Sequence, residues 1–202
     1  QISQKKTIWF HAVSLGEVIG SRDIIEPLLI NSTINLTVST PTGLRKAKEL
    51  YKDYDIQISY SPLDFYLCVN SYLNKIKPDL IIVFETEIWP SMIHIASKKK
   101  IPVILSNGRM SKKSYNSYKK INFFSKDIFK RLEVVLAQSK PHAERFKRLG
   151  VKEDSIQITG SVKFDLKPGE ISLDSNLNQF LENDYILAVS THSGEDETIL
   201  RA

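Results

Sequence analysis

The feature that most constrains the fold of this chain is a regular alternation of short apolar runs with helical patterns. The apolar runs predict strands at 8–14, 34–39, 56–60, 80–84, 103–106, 134–138 and 156–159. Helical periodicity covers about 18–30, 43–53, 63–76, 88–99, 115–131 and 140–149. Strands that are buried on both faces and joined by helices form an open, mostly parallel sheet, so the sequence predicts an α/β fold.

Composition excludes several other classes of protein. Of the 202 residues, 42% are apolar and 25% are charged, which is typical of a globular domain. The apolar run Leu80-Ile81-Ile82-Val83-Phe84 is far too short to cross a bilayer. The single cysteine, Cys68, excludes an internal disulfide and is typical of a reducing compartment.

The net charge of +5 is unevenly distributed along the chain. Residues 98–150 carry 15 Lys and Arg against 3 Asp and Glu, a net charge of +12. The other residues carry 13 Lys and Arg against 20 Asp and Glu, a net charge of −7. The asymmetry predicts an anionic partner for the middle of the chain, and nucleic acid, an acidic membrane and a phosphorylated substrate all fit.

The end of the sequence predicts a second domain. Residues 167–183 are rich in Pro, Gly, Ser, Asn and Asp, which indicates a linker after a first domain at 1–166. A new strand begins at Tyr185, and residues 184–202 would form only the start of the second domain. We therefore expect the sequence to be a fragment.

Four turns at the carboxyl ends of the predicted strands carry unusual residues. Ligands of open parallel sheets bind at this edge. The turns are SLGE at 14–17, STPTG at 39–43, ETEIWP at 85–90 and SNGR at 106–109.

Glu17 lies in the first of these turns, between the strand at 8–14 and a helical pattern that begins at Val18. The positive end of the helix dipole favours an ionised carboxylate there. Such a carboxylate either caps the helix or accepts a proton from a substrate hydroxyl. The residues alone leave both roles open.

Other acidic pairs have simpler interpretations. Glu85 and Glu87 can bind a metal, but such a pair more often begins a helix. Asp53-Tyr54-Asp55 matches a metal-binding DxD pattern, yet it precedes a strand and is expected to be a turn at the opposite edge. Glycine-rich nucleotide motifs and metal-ligand histidine spacings are absent from the sequence.

Lysines and aromatic residues are mixed in the segment from Tyr115 to Leu132. A helix here would place one apolar stripe on a single face. That stripe either faces the core or lies on a membrane. Its members are Tyr118, Ile121, Phe124, Ile128 and Leu132.

Seven motifs occur in order and together resemble the 3-deoxy-D-manno-octulosonic acid (Kdo) transferases of lipopolysaccharide synthesis. The resemblance covers nearly the whole chain, and it implies the GT-B architecture of two Rossmann-like domains. It also implies that residues 1–166 bind the acceptor and that residues 184–202 begin the donor-binding domain. The motifs are HAVSLGEV (11–18), STPTG (39–43), ETEIWP (85–90), NGRMS (107–111), LAQS (136–139), GSVKFD (160–165) and STHSGED (190–196).

The sequence departs from the family pattern at a few positions. The family usually has Asn at Ser161, Ala at Gly108, Leu at Met110 and Glu at Asp196. It also usually begins with a hydrophobic membrane anchor, which this sequence does not include.

The resemblance implies an inverting transfer of Kdo from CMP-Kdo to a hydroxyl of a lipid A precursor, lipid IVA. In that reaction Glu17 matches the family's proposed base. The resemblance suggests no metal, because Lys side chains and helix termini would neutralise the leaving CMP. The acceptor-side candidates are Glu85, Glu87 and Arg109, and the donor-side candidates are Lys163, Ser190, Thr191, Gly194 and Glu195.

The basic region then predicts attachment to the anionic cytoplasmic face of the inner membrane, where each Lys or Arg contributes about 1 kcal/mol. Because most of the donor domain would be missing, we expect the 202-residue chain alone to be inactive. One alternative is a GT-B transferase with a different nucleotide sugar. A nucleic-acid-binding Rossmann domain is a remote alternative, since no recognition signature accompanies the charge.

Overall fold

A computed structural model describes residues 5–86, 88–162 and 194–200; for residues 122–124, 196 and 198 it describes only the backbone. The chain divides into two compact units, residues 1–166 and 167–202. The predicted linker and the predicted strand at 185–190 lie outside the described residues, and the domain boundaries stay a prediction.

Seven parallel strands form one sheet in the order β3-β2-β1-β4-β5-β6-β7. This confirms the predicted α/β class. The order reverses between β1 and β4, which is the point where doubly wound sheets bind ligands. The strands are β1 Lys6–His11, β2 Ser32–Val38, β3 Ile56–Tyr60, β4 Leu80–Phe84, β5 Val103–Gly108, β6 Val134–Ala137 and β7 Ile156–Ile158.

Among the described residues, eight α-helices lie in the first unit and a ninth lies in the second; Glu153–Ser155 forms a short 3₁₀ helix. Two predicted helices are each divided in the structure, at Ser21 and at Ile121. The helices are α1 Leu15–Gly20, α2 Arg22–Asn31, α3 Pro41–Leu50, α4 Tyr66–Ile76, α5 Pro90–Lys98, α6 Lys112–Lys120, α7 Asn122–Phe129, α8 Lys140–Leu149 and α9 Glu195–Leu200.

Alternate residues of the central strands pack on opposite faces of the sheet. Phe10 belongs to a core shared with α1, α2 and α3. Its neighbour Trp9 belongs to a second core shared with α4, α5, α7 and α8. Both faces are therefore covered, which explains why the strands are apolar runs rather than alternating patterns. Within the described residues, no helix combines the length and apolar composition needed to cross a membrane.

Candidate functional site

Glu17 lies in the first turn of α1, so the prediction that the helix begins at Val18 was wrong. The helix begins at Leu15 because Ser14 is its N-cap, and the Ser14 hydroxyl accepts a hydrogen bond from the Glu17 N–H. The Glu17 carboxylate in turn accepts from the Val13 N–H at 2.8 Å and from the Ser14 hydroxyl at 3.0 Å. Reciprocal capping fixes a half-buried carboxylate at the end of β1.

The STPTG turn packs directly against this carboxylate-bearing turn. Thr40 caps α3 by accepting from the Gly43 N–H at 3.1 Å. A Cβ atom on Gly43 would lie 2.8 Å from Thr40 Oγ1 and 3.2 Å from the Ser14 carbonyl carbon. Glycine at position 43 therefore allows the start of α3 to approach the backbone that positions Glu17.

Glu85 follows β4 in the left-handed backbone region, with φ of 64°. Its N–H donates to the Ser106 carbonyl of β5 at 2.8 Å, and its side chain is half-buried. Non-glycine residues rarely adopt this conformation, which is concentrated at functional sites. Glu87 lies outside the described residues.

Arg109 is exposed on a turn that is held on both sides. Before it, the buried Asn107 has φ of 53° where the pairing of β5 with β6 shifts register. After it, the Met110 carbonyl accepts from Arg145 Nη1 at 2.7 Å and lies 2.9 Å from His142 Nδ1. These contacts from α8 fix the direction in which the turn presents Arg109.

The catalytic candidate and the two described acceptor-side candidates therefore share one edge of the sheet. Glu17, Glu85 and Arg109 follow β1, β4 and β5, which are adjacent strands at the point where the strand order reverses. Asp53-Tyr54-Asp55 lies between α3 and β3 at the opposite edge, in agreement with its interpretation as a turn. The roles assigned to these residues stay predictions.

On the donor side, the described part of the second unit is short. Gly194 has φ of 94°, which favours glycine, and Glu195 begins α9. A turn that leads into a helix at Gly194-Glu195 agrees with the sequence. Lys163, Ser190 and Thr191 lie outside the described residues.

His11 is a buried residue of this region that was not predicted to belong to the site. Its Nδ1 lies 2.8 Å from the Thr37 hydroxyl, which also accepts from the Trp9 indole N–H at 2.8 Å. The His11 ring packs edge-on against Trp89, with ring centroids 4.5 Å apart. Burial lowers the pKa of His11 to about 4, although a hydrogen bond with Thr37 partly opposes the shift. A neutral histidine thus connects β1 with the loop after β4; the one sequence signal was an imidazole within an apolar run.

Asp64 was also not predicted to lie here. Its carboxylate caps α5 by accepting from the Met92 N–H at 2.9 Å and from the Ser91 N–H at 3.2 Å. Burial raises the pKa of Asp64, and these hydrogen bonds partly counter the effect. The loop after β3 is therefore fastened to the start of α5, a contact between distant residues that local pattern does not reveal.

An open groove of about 420 Å³ lies between these elements. Asp64 and two residues of α6 are among its lining residues, and Glu17 is not. Trp89 connects the groove to the end of β1, because it also contacts His11. The lining residues are Asp64, Thr86, Ile88, Trp89, Ser114 and Tyr118.

Solved structures share this fold at low sequence identity. The UDP-GlcNAc 2-epimerase of Neisseria meningitidis aligns with 80% of this chain and 48% of its own, with a TM-score of 0.57 and 16% identity. The UDP-N-acetylglucosamine 2-epimerase of Rickettsia bellii aligns with 90% of this chain and 50% of its own, with a TM-score of 0.55 and 15% identity. These similarities show the Rossmann-like fold of GT-B proteins and nothing about substrate.

Sequence comparison gives the family. The 3-deoxy-D-manno-octulosonic acid transferase of Haemophilus influenzae is 33% identical over 96% of this chain. A bifunctional glycosyltransferase/methyltransferase of Fusobacterium nucleatum is 33% identical over 98% of the chain. The chain spans 47% and 32% of the lengths of these two relatives. The family model described as 3-deoxy-D-manno-octulosonic-acid transferase (kdotransferase) matches residues 1–166, and the chain belongs to that family.

Proposed function

We propose that residues 1–166 form the acceptor-binding domain of an inverting glycosyltransferase that moves Kdo from CMP-Kdo to lipid IVA in lipopolysaccharide synthesis. The observation that carries the proposal is the fixed carboxylate of Glu17 beside the reversal point of the sheet. Because the chain belongs to the Kdo transferase family, we assign Kdo as the transferred sugar.

In the proposed reaction, an acceptor hydroxyl attacks the anomeric carbon of Kdo while the bond to CMP breaks. The hydroxyl proton passes to Glu17, and the electron pair of the broken bond leaves with CMP. The helix N-terminus favours the ionised carboxylate that this step requires. The hydrogen bonds from Val13 and Ser14 hold the carboxylate in one orientation, which general base catalysis requires.

We further propose that this domain docks on the anionic cytoplasmic face of the inner membrane. Charge supports docking at the carboxyl edge, where α6 exposes four lysines while Tyr115 and Tyr118 pack on the core. The exposed lysines are Lys112, Lys113, Lys119 and Lys120.

An apolar surface at the same edge supports docking as well. Leu63 and Phe65 are each 67% exposed, and Leu67 is 78% exposed. Asp64, between Leu63 and Phe65, is fastened to α5, so the loop presents these two side chains from a fixed base, and Leu67 lies in the first turn of α4. Contiguous exposed apolar side chains are uncommon on monomers and mark interaction surfaces.

A transfer assay tests the proposal. The polypeptide encoded by the complete gene is incubated with lipid IVA and, in parallel, with CMP-Kdo, UDP-sugars or GDP-sugars, and the product is identified by mass spectrometry. We expect a mass increase of one or more Kdo residues with CMP-Kdo alone. Transfer from a UDP- or GDP-sugar instead would favour the alternative of another GT-B transferase.

A further inference from the structure

A small apolar pocket adjoins the groove between the start of α5, α6 and α7. It has a volume of about 120 Å³, and Phe129 and Ile128 form part of its lining. The described lining exposes only carbon to the pocket. Ser125 also lines the pocket, but its hydroxyl donates a hydrogen bond to the Tyr118 carbonyl at 3.0 Å.

The pocket explains the apolar stripe that the sequence places between Tyr118 and Leu132. The stripe is neither wholly core nor wholly surface. Leu132 is buried, whereas Ile121, at the break between α6 and α7, is 57% exposed. Tyr118 packs edge-on against Phe129, with ring centroids 5.2 Å apart, and Tyr118, Ile121 and Ile128 line the pocket.

The pocket and the groove are neighbours. Ile88 and Tyr118 line both spaces. Lys119 and Lys120, which are exposed, separate Tyr118 from Ile121 in the chain. A ligand with an anionic head and an apolar tail matches this arrangement, because two exposed lysines lie in the chain between two residues that line the apolar pocket.

The size of the pocket selects the kind of tail. One water molecule requires about 10–15 Å³, so 120 Å³ has room for several methylene groups. An α-helix with side chains is about 10–12 Å wide and does not fit such a space. Apolar cavities stay dry and bind apolar molecules, so a narrow alkyl chain is the matching occupant.

We propose that this pocket binds one acyl chain of an anionic amphiphile and thereby places its phosphorylated head beside the exposed Lys119 and Lys120. The identification of that amphiphile with the acceptor lipid rests on the function proposed above. The binding of an alkyl phosphate by the pocket does not depend on that function.

Soluble alkyl phosphates test the pocket directly. Binding of inorganic phosphate and of butyl, hexyl and octyl phosphate to the 202-residue chain is measured by calorimetry. We expect affinity to rise by up to about fourfold per methylene while the tail remains in the pocket. Affinity that does not change from butyl to octyl phosphate would overturn the proposal.

A matched pair of variants locates the binding. Ile121→Asn makes the mouth of the pocket polar, and Ile158→Asn changes a residue of the same 57% exposure on β7. Both sites tolerate a polar residue because both are exposed. We expect octyl phosphate affinity to fall at least about fivefold in Ile121→Asn and to stay unchanged in Ile158→Asn, with phosphate affinity equal in both. Equal losses in the two variants would exclude this pocket.

The result is separable from the transfer assay. Chain-length dependence without Kdo transfer would leave the pocket established and remove the proposed function. Kdo transfer without chain-length dependence would remove the pocket and leave the proposed function. If both hold, Ile121→Asn in the complete enzyme raises KM for lipid IVA more than KM for its deacylated analogue.

Discussion

The carboxyl and amino edges of the sheet both contain residues in the left-handed backbone region, but for different reasons. At the amino edge, Lys77 ends α4 with φ of 45°, and Lys100 follows α5 with φ of 60°. Helices commonly end in this way, because the conformation pairs their last carbonyls. At the carboxyl edge, Glu85 adopts it directly after β4, and Asn107 adopts it within β5 where the pairing with β6 shifts register; no helix ends at either residue. An unusual conformation therefore indicates function only when no ordinary structural cause explains it.

The basic residues of 98–150 are also divided between the amino edge and the carboxyl edge. Helices that follow strands return to the amino edge, so Lys98, Lys99, Lys100 and Lys130 lie there, at the ends of α5 and α7. Lys112 and Lys113 begin α6 at the carboxyl edge. The charge of +12 is thus divided between two opposite edges, and only part of it can face an acceptor.

The largest effect is expected when Glu17, a carboxylate at the carboxyl edge, is compared with Asp79, a carboxylate at the amino edge. In the complete enzyme, Glu17→Gln is expected to reduce kcat by about 10²–10⁴-fold, because the base is removed. Asp79→Asn is the control, since Asp79 accepts a backbone N–H, that of Thr7, at the same 2.8 Å that joins Glu17 to Val13. Steady-state assays should show little change in Asp79→Asn. Near-normal turnover of Glu17→Gln would reduce Glu17 to a helix cap.

Membrane docking is expected to depend on the lysines of one edge only. Replacing Lys112, Lys113, Lys119 and Lys120 with Gln removes up to about 4 kcal/mol of attraction to anionic vesicles. The control replaces Lys98, Lys99, Lys100 and Lys130, which are also exposed and whose replacement changes the net charge by the same amount.

Co-sedimentation with vesicles that contain phosphatidylglycerol measures the difference. Wild type and control should bind at low salt and release at high salt, because screening shortens the electrostatic range from about 10 Å at 0.1 M to about 3 Å at 1 M. Equal binding by both variants would contradict docking through α6.

The buried histidine of the carboxyl edge predicts a pH effect on stability. Because the folded pKa of His11 is about 4 and the ordinary value is 6.5, the unfolded chain binds a proton that the folded chain excludes between these values. The free energy of unfolding is therefore not reduced by His11 above pH 6.5. It decreases as the pH falls toward 4, by about 3 kcal/mol in total.

Urea unfolding of wild type and His11→Asn between pH 4 and 7 checks this expectation. The variant should lose less stability over the range, whatever its stability at pH 7. Subtracting the two curves removes the contributions of carboxylates such as Asp64, whose raised pKa acts in the opposite direction. Parallel curves would show that protonation of His11 does not lower the stability of the fold.

The smallest effect is expected on stability, when each of two glycines at the carboxyl edge is replaced with alanine. Gly43→Ala is expected to destabilise the fold by about 1–3 kcal/mol, because a Cβ atom would overlap Thr40 and crowd the Ser14 backbone. Gly16→Ala is the control, because a Cβ atom there has no neighbour within 4 Å and alanine favours a helix. Thermal unfolding should show a lower Tm for Gly43→Ala alone. Identical Tm values would mean that the two turns adjust freely.

Much of the secondary structure was predictable. The strands Ile56–Tyr60 and Leu80–Phe84 and the helix Lys140–Leu149 match the sequence-based expectation at both ends. The break at Ser21 was not predicted, because apolar periodicity continues across it. Ser21 is buried, and its hydroxyl donates to the Val18 carbonyl, so packing rather than local pattern divides α1 from α2.

The sequence by itself determined the fold class and the family. A strand covered on both faces must be apolar throughout, and a local run of residues reveals that requirement. The placement of Glu17, Glu85 and Arg109 at one edge of the sheet was also predictable, because each lies in the turn after a recognisable strand. Only the tertiary structure decided which groups meet. Gly43 against Ser14, Asp64 on α5 and His11 against Trp89 are contacts between residues 27 to 78 positions apart. They depend on which strands are neighbours in the sheet, and because such contacts form across the assembled sheet, no local window of sequence contains them.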